Sequence, residues 1–181
     1  MSKFNCLSML LLAMLSGCGD RERQSVQGSE AASPAEEVLA AQPAVVSRDS
    51  VVAFDAKRRS AATWTGMGCA LNSPDDAKSI IGSVGDVKTF EGYFLGKDKE
   101  SPNEFLFVLL GEKDSYSVAL KPNVIRPDVA EYFKSPQGDH SGFSVSIPLS
   151  AVNPGTYSVD FFYTVGESDF FCESGKSLTV Q

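Results

Sequence analysis

Three stretches of this chain alternate apolar and polar residues with a period of two. In the first, Phe143, Val145, Ile147 and Leu149 share one side and Ser144 and Ser146 the other. In the second, Tyr157, Val159, Phe161, Tyr163 and Val165 alternate with Ser158, Asp160 and Thr164. Tyr116, Val118 and Leu120 form a third stripe. Such alternation sets one face of a strand on a core and the other toward water. Residues 105–110 are apolar on both faces, the pattern of a central strand. Residues 87–95 predict another strand, with Gly92 marking a bulge or a close-packing point. Asn153-Pro154-Gly155 predicts a tight turn between two strands. Regular short strands separated by such turns predict an all-β, antiparallel sandwich or barrel from about residue 50 to the end.

One short helix is predicted over Pro127–Phe133. Pro127 suits the first helical position, where its missing N–H costs nothing. Asp128 and Glu131 sit near the positive end of the helix dipole. Val129 and Phe133 are four residues apart, so both can pack onto the sheet. Asp75 and Asp76, after Ser73-Pro74, predict a helical turn running to Ile81. A calcium role there would need more oxygen ligands at defined spacing.

The first fifty residues read differently. Lys3 is followed by an apolar run over residues 7–15, then by Ser16, Gly17 and Cys18. A positive start, a short apolar run and small residues form a secretory signal peptide. The run falls short of the about 20 apolar residues that span a bilayer. Leu15-Ser16-Gly17-Cys18 closely resembles the bacterial lipobox. That resemblance implies cleavage after residue 17, a diacylglycerol on the Cys18 thiol and acylation of the new amine. Several acyl chains anchor firmly where one binds marginally. By resemblance to Gram-negative lipoproteins, Gly19 in place of aspartate after the cysteine implies outer-membrane delivery. Asp20 stands at the following position, and the leaflet that displays the domain is not legible. Residues 18–49 then predict the lipidated cysteine and a flexible tether. Residues 19–48 hold no aromatic side chain and are rich in Ser, Ala, Gln and Glu. They cannot bury enough apolar surface to offset their ordering entropy. About thirty residues of coil reach roughly 30 Å on average.

Composition and charge narrow the partners. The 181 residues are 43% hydrophobic and 10% aromatic, ordinary for a globular chain. Residues 1–17 contain one lysine and no acid, so the remainder carries 15 basic against 23 acidic side chains, net −8. An acidic chain has no electrostatic reason to seek nucleic acid. It also gains nothing from anionic lipid, so membrane attachment falls to the lipid on Cys18. Of four cysteines, Cys6 leaves with the signal and Cys18 carries lipid, leaving Cys69 and Cys172 in the domain. In an oxidising compartment a disulfide between these two is expected, joining the first strand of the domain to the last. Closing a loop of about 100 residues would contribute roughly 4 to 5 kcal/mol in the chain-entropy model. The alternatives are two buried thiols or intermolecular pairing. Two cysteines and a single histidine are too few for a usual zinc site.

Residues 90–159 carry a family resemblance. Phe90-Glu91-Gly92-Tyr93 precedes the apolar strand at 105–110. Arg126-Pro127-Asp128-Val129-Ala130-Glu131-Tyr132-Phe133 follows, then Ser141-Gly142-Phe143 and Pro154-Gly155-Thr156-Tyr157-Ser158-Val159. This resembles the immunoglobulin-like β-sandwich modules appended to bacterial glycosyltransferases and other envelope-glycan proteins. In those modules an Arg-Pro-Asp-Val helix precedes a Gly-Phe strand and a Gly-rich turn. The resemblance implies an immunoglobulin-like antiparallel sandwich with an accessory, non-catalytic role. Its motif falls on Arg126, Pro127, Asp128, Phe133, Gly142 and Phe143. This chain differs in lacking a transferase domain and in adding a cysteine pair.

Candidate chemistry is sparse. His140, the single histidine, is flanked by Asp139 and Ser141, but neighbours in a loop do not converge as a catalytic triad does. Arg126 and Asp128 can bind an anion or a sugar hydroxyl, or cap and orient the helix. Trp64, Phe170 and Phe171 lie near the two cysteines in sequence. They can form an aromatic platform for a glycan or protein, or pack around the disulfide. No Gly-rich phosphate loop, zinc motif or nucleophile elbow occurs, so no cofactor or metal is expected. The expectation is a non-catalytic sandwich held at the outer membrane, binding an envelope protein or glycan. Two further readings stand beside it: an immunity or inhibitor lipoprotein acting on a toxin or phage step, and an enzyme of envelope polymers. The number of copies in the working unit is not legible.

Overall fold

The computed structural model describes residues 42–181, apart from Met67, Asp75 and Asp76. The signal peptide, Cys18 and most of the tether lie outside the described residues. The first sheet has four strands. β1 (Ala44–Val45), β9 (Gly142–Pro148), β6 (Val87–Phe94) and β4 (Cys69–Ser73) run side by side in that order. The second sheet runs β2 (Val52–Ala53), β8 (Ser115–Leu120), β7 (Phe105–Gly111), β10 (Gly155–Val165), β11 (Ser168–Val180). Beyond β11, two short strands pair with it in parallel: β3 (Thr63–Trp64) and β5 (Ser79–Gly82). The long pairings are antiparallel, and the architecture is the expected all-β sandwich. Near the start of β10, the Tyr157 hydroxyl donates back to the carbonyl of Asn153 at 2.7 Å, as in the tyrosine corner of immunoglobulin-like domains.

The period-two stripes fill the space between the sheets. Phe143, Val145 and Ile147 of β9 and Phe90 and Phe94 of β6 face Phe105, Phe107, Val118, Val159 and Phe161. Phe161 stands at the centre, its ring centroid 5.4 to 6.0 Å from those of Phe94, Phe105, Phe107 and Phe143. Such stacked, tilted and edge-on ring pairs add to the energy of burial. Gly92 is a close-packing point. A Cβ there would lie 2.1 Å from the carbonyl oxygen of Ala70, so β4 can approach β6 only over a glycine. The register shift lies opposite, in β4 between Leu71 and Ser73.

The second face of β7 explains its doubly apolar pattern. Val108 packs with Phe54, Phe162 and Phe171 in a smaller core on the outside of the second sheet, flanked by Leu106 and Leu110. Over this outer face lies α1 (Ala56–Ala61), a helix beside the single one expected. Its N-cap is Asp55, whose carboxylate accepts from the Lys57 N–H at 3.0 Å. No residue of α1 is buried. Arginines hold it instead: the Arg58 guanidinium lies 5.2 Å from the Phe162 ring centroid and that of Arg59 3.4 Å from Phe171. For this reason Asp160, expected to face water, is only 3% exposed.

Other expectations shift for similar reasons. Ser144 and Ser146 are buried rather than solvated. Asn123 exchanges two hydrogen bonds with the Ser144 backbone, and the Ser144 hydroxyl donates to Glu91. The end of the helical turn expected to reach Ile81 is β5 instead, because Ile80 turns inward and its backbone pairs with β11, while Asp75 and Asp76 at its start lie outside the described residues. The fold also begins inside the expected tether. Ala44 and Val45 pair in parallel with Val145 and Ser146, while Val46 and Val51 pack against the core. The expected disulfide is present: Cys69 and Cys172 are bonded with Cα atoms 6.2 Å apart. It staples one sheet to the other, from β4 to the last strand. β4 is not the first strand, since three short ones precede it.

Candidate functional site

The helix α2 (Pro127–Phe133) forms where expected, with Pro127 in its first turn and Val129 buried. It brings Tyr132 and Phe133 toward Tyr93, which points outward from β6. Phe133 meets Tyr93 edge-on at 5.9 Å and Tyr132 at 4.9 Å. Opposite them stands Trp64 of β3, 59% exposed. Thr65, the next residue, anchors it: its N–H and hydroxyl both donate to the carbonyl of Phe171, at 2.9 and 3.0 Å. The floor between is β11 at Glu173, Ser174 and Gly175, beside Cys69 of the disulfide. Together they enclose a cleft of about 360 Å³.

A bulge in β11 pushes this floor outward. Asp160 pairs with Glu173 and Val159 with Lys176, leaving Ser174 and Gly175 without opposite numbers. Gly175 takes φ +71°, a conformation that costs glycine nothing. The Ser174 hydroxyl fixes the bulge by donating to the Val159 carbonyl at 2.6 Å. Glu173 is held from the other side by Arg59, which donates to it and, at 3.0 Å, to the Asp160 carboxylate. Burial pushes the Asp160 carboxyl up from its ordinary value, and the hydrogen bond from Arg59 opposes that rise.

Arg126 and Asp128 flank the cleft. They form a bidentate pair, Nε to Oδ1 at 2.9 Å and Nη2 to Oδ2 at 2.7 Å. Hydrogen bonding from Arg126 lowers the Asp128 carboxyl, and the same bond raises the guanidinium. Arg126 also lies 5.5 Å from the Tyr93 ring centroid and donates to Asn72 at 3.3 Å. Its side chain forms one border of a second recess of about 290 Å³, lined by Asn72, Glu91, Val124 and Ser144. Tyr93 borders the first recess and Arg126 the second, so the contact between these two side chains makes the recesses neighbours. Gly142 makes room for this arrangement, since a Cβ there would lie 2.6 Å from the Arg126 Cγ. Phe143 is in the core against Phe105 and Phe161. Pro127, Gly142 and Phe143 are therefore mainly a scaffold for Arg126 and the aromatic wall.

Trp64, Phe170 and Phe171 do not share a surface. Phe170 and Phe171 are consecutive in a strand and point to opposite faces. Phe170 stacks on Tyr163 at 5.3 Å, while Phe171 is buried under Arg59. The companions of Trp64 are Tyr93, Tyr132 and Phe133 instead. The residues around His140 do not converge either. His140 is 70% exposed with Asp139 at 3.6 Å, whereas Ser141 is fully buried and its hydroxyl has no hydrogen-bond partner among the described residues.

Two larger hollows have other characters. One of about 450 Å³ lies between the 96–104 loop and Tyr163–Val165, where the Tyr163 hydroxyl is already taken by the Lys97 N–H at 2.5 Å. Another of about 470 Å³ lies over Asp160, whose charge Arg59 already answers. The cleft at Trp64 combines aromatic rings with the Glu173 carboxylate, the mixture of apolar walls and a few polar groups common in ligand sites. Compared with known proteins, the chain matches no family and no curated relative.

Proposed function

We propose that this chain is an outer-membrane-anchored lipoprotein whose sandwich is a non-catalytic module binding a protein or glycan partner in the cell envelope. The observation that carries the binding role is the cleft between Trp64 and Tyr132. Both are strongly exposed, Tyr132 at 76%, on elements braced by the disulfide and by the Arg126–Asp128 pair. Grouped exposed aromatic rings on a rigid frame are a recognition surface, whereas single exposed apolar residues are ordinary. The envelope location draws on the lipobox resemblance at Leu15–Cys18 and on the disulfide, which belongs to an oxidising compartment. The lipid on Cys18 is the membrane contact.

Co-sedimentation with purified envelope tests the binding role. A Cys18→Ser form without lipid is expected to pellet with envelope fragments and to be released by Trp64→Ala plus Tyr132→Ala. Equal retention of both forms, or of neither, would count against it. Metabolic labelling with a palmitate analogue is expected to tag the native chain and not Cys18→Ser.

A second reading, an immunity or inhibitor lipoprotein, draws on the net charge of −8 over residues 18–181, which suits a basic partner. Deletion followed by challenge with toxin-armed neighbours or phage separates the two. Unchanged survival removes the second reading.

A further inference from the structure

We infer that the cleft takes a neutral oligosaccharide, with one sugar ring lying against Trp64 and Tyr132 and the next reaching the Asn72–Glu91 recess. This rests on the binding role proposed above and names its ligand class.

The walls are aromatic and open. Trp64 and Tyr132 are exposed, and Tyr93 and Phe133 stand behind them. A pyranose ring presents a flat face of C–H groups, which sheds water against an aromatic face. Beside these rings stand planar polar groups suited to paired hydroxyls. Glu173 lines the cleft itself. In the adjoining recess Asn72 lends its Oδ1 to Arg126, and Glu91 lends one oxygen to Ser144; among the described residues this leaves the Asn72 NH2 and the second Glu91 oxygen for a ligand.

Charge selects among sugars. No Lys or Arg lines the aromatic cleft among the described residues, and Glu173 does. The nearby cation, Arg126, is already neutralised by Asp128. Arg59 is shared between Glu173 and Asp160, and Glu91 has no ion-pair partner among the described residues, so a uronate, a phosphorylated sugar or another anionic glycan would meet a net negative charge. Size selects against a folded protein. Stable protein interfaces bury about 800 Å² on each partner, whereas two neighbouring hollows of about 360 and 290 Å³ suit a short chain of small rings.

Trp64 is the single tryptophan of the chain, so its fluorescence reports on this cleft alone. The full-length protein in detergent would be titrated with neutral hexasaccharides of glucose (β- and α-linked) and of N-acetylglucosamine, and with oligogalacturonate as the anionic comparison. We expect saturable quenching or a blue shift with at least one neutral chain and none with oligogalacturonate. Affinity is expected to fall at least tenfold in Tyr132→Ala, an exposed change that leaves the near-ultraviolet dichroism of the fold intact. Silence across all neutral chains, stronger response to the anion, or unchanged affinity in Tyr132→Ala would overturn the assignment. The two levels separate cleanly. Silent sugars with envelope co-sedimentation still lost in the double variant sink the sugar class and keep the binding role. Absence of any co-sedimentation by the parent protein sinks the role itself.

Discussion

Phe161 and Trp64 are large aromatic residues on strands of one sheet, and their surroundings are opposites. Phe161 is enclosed by four other phenylalanine rings between the sheets. Trp64 stands at the sheet margin, where β3 pairs with β11 over only two residues. In the first place rings supply cohesion, because every face is removed from water. In the second they supply little cohesion and leave surface for something else to cover. The same side-chain chemistry therefore serves stability or recognition according to position in the sheet, and the disulfide lies where the two regions adjoin.

Substitutions that pull the regions apart give graded effects. The largest is expected from removing the disulfide. Cys69→Ser with Cys172→Ser should lower unfolding free energy in denaturant by about 4 kcal/mol, since the bond spans 103 residues. It should also speed amide exchange in β3 and β4, because the cleft wall loses its staple. Phe161→Ala should cost about 3 to 4 kcal/mol by the same measurement. At temperatures where it remains folded, its tryptophan spectrum should match that of the parent.

Next comes the clamp on the outer face. Arg59→Ala should cost on the order of 2 kcal/mol at neutral pH, because Asp160 is left as a buried, unanswered charge. The figure is below that of a fully enclosed pair since Arg59 is itself 26% exposed. The sign of its pH dependence is distinctive. Burial already raises the Asp160 carboxyl above its unfolded value, so the folded state takes up a proton first as pH falls. Without Arg59 the rise is larger, and the variant should regain part of its lost stability on acidification from neutral pH toward about pH 5. A deficit in the denaturant midpoint that stays constant from pH 7 to 5 would refute this account of Asp160. The smallest effect on stability belongs to Tyr132→Ala, within about 0.5 kcal/mol. That variant is expected instead to show the largest change in binding.

Much of the fold was legible because its signals are local and periodic. The stripe from Phe143 to Leu149 and the doubly apolar run in β7 each carry their own evidence of burial. Pro127 marks the start of α2 by its chemistry alone. The pairing of Cys69 with Cys172 followed from the removal of the other candidates. The outer layer was not legible in this way. The sequence of α1, Ala-Lys-Arg-Arg-Ser-Ala, has no apolar stripe, since its arginines do the docking. Asp160 and Ser144 look solvated by period, and only chain arriving from elsewhere covers them. In the cleft, Trp64 was legible as a candidate, but its companions were not. Tyr93 and Tyr132 come from two distant elements, and sequence proximity pointed to Phe170 and Phe171 instead. The alternation rule, applied to those two adjacent residues, would have separated them.

The bulge at Ser174 and Gly175 has a consequence for how such a chain can vary. Two residues are inserted rather than one, so in-and-out parity survives the interruption: Cys172 before it and Leu178 and Val180 after it all turn inward. Removing Gly175 alone would leave a single extra residue, and the strand would have to absorb the lost parity in a distorted one-residue bulge to keep Leu178 and Val180 inward. Adding or deleting residues in pairs would lengthen or shorten the lip beneath Trp64 while leaving the interior undisturbed. The margin of this strand is thus a place where an evolving protein can retune what it grips in even-numbered steps, with the hydrophobic interior held constant.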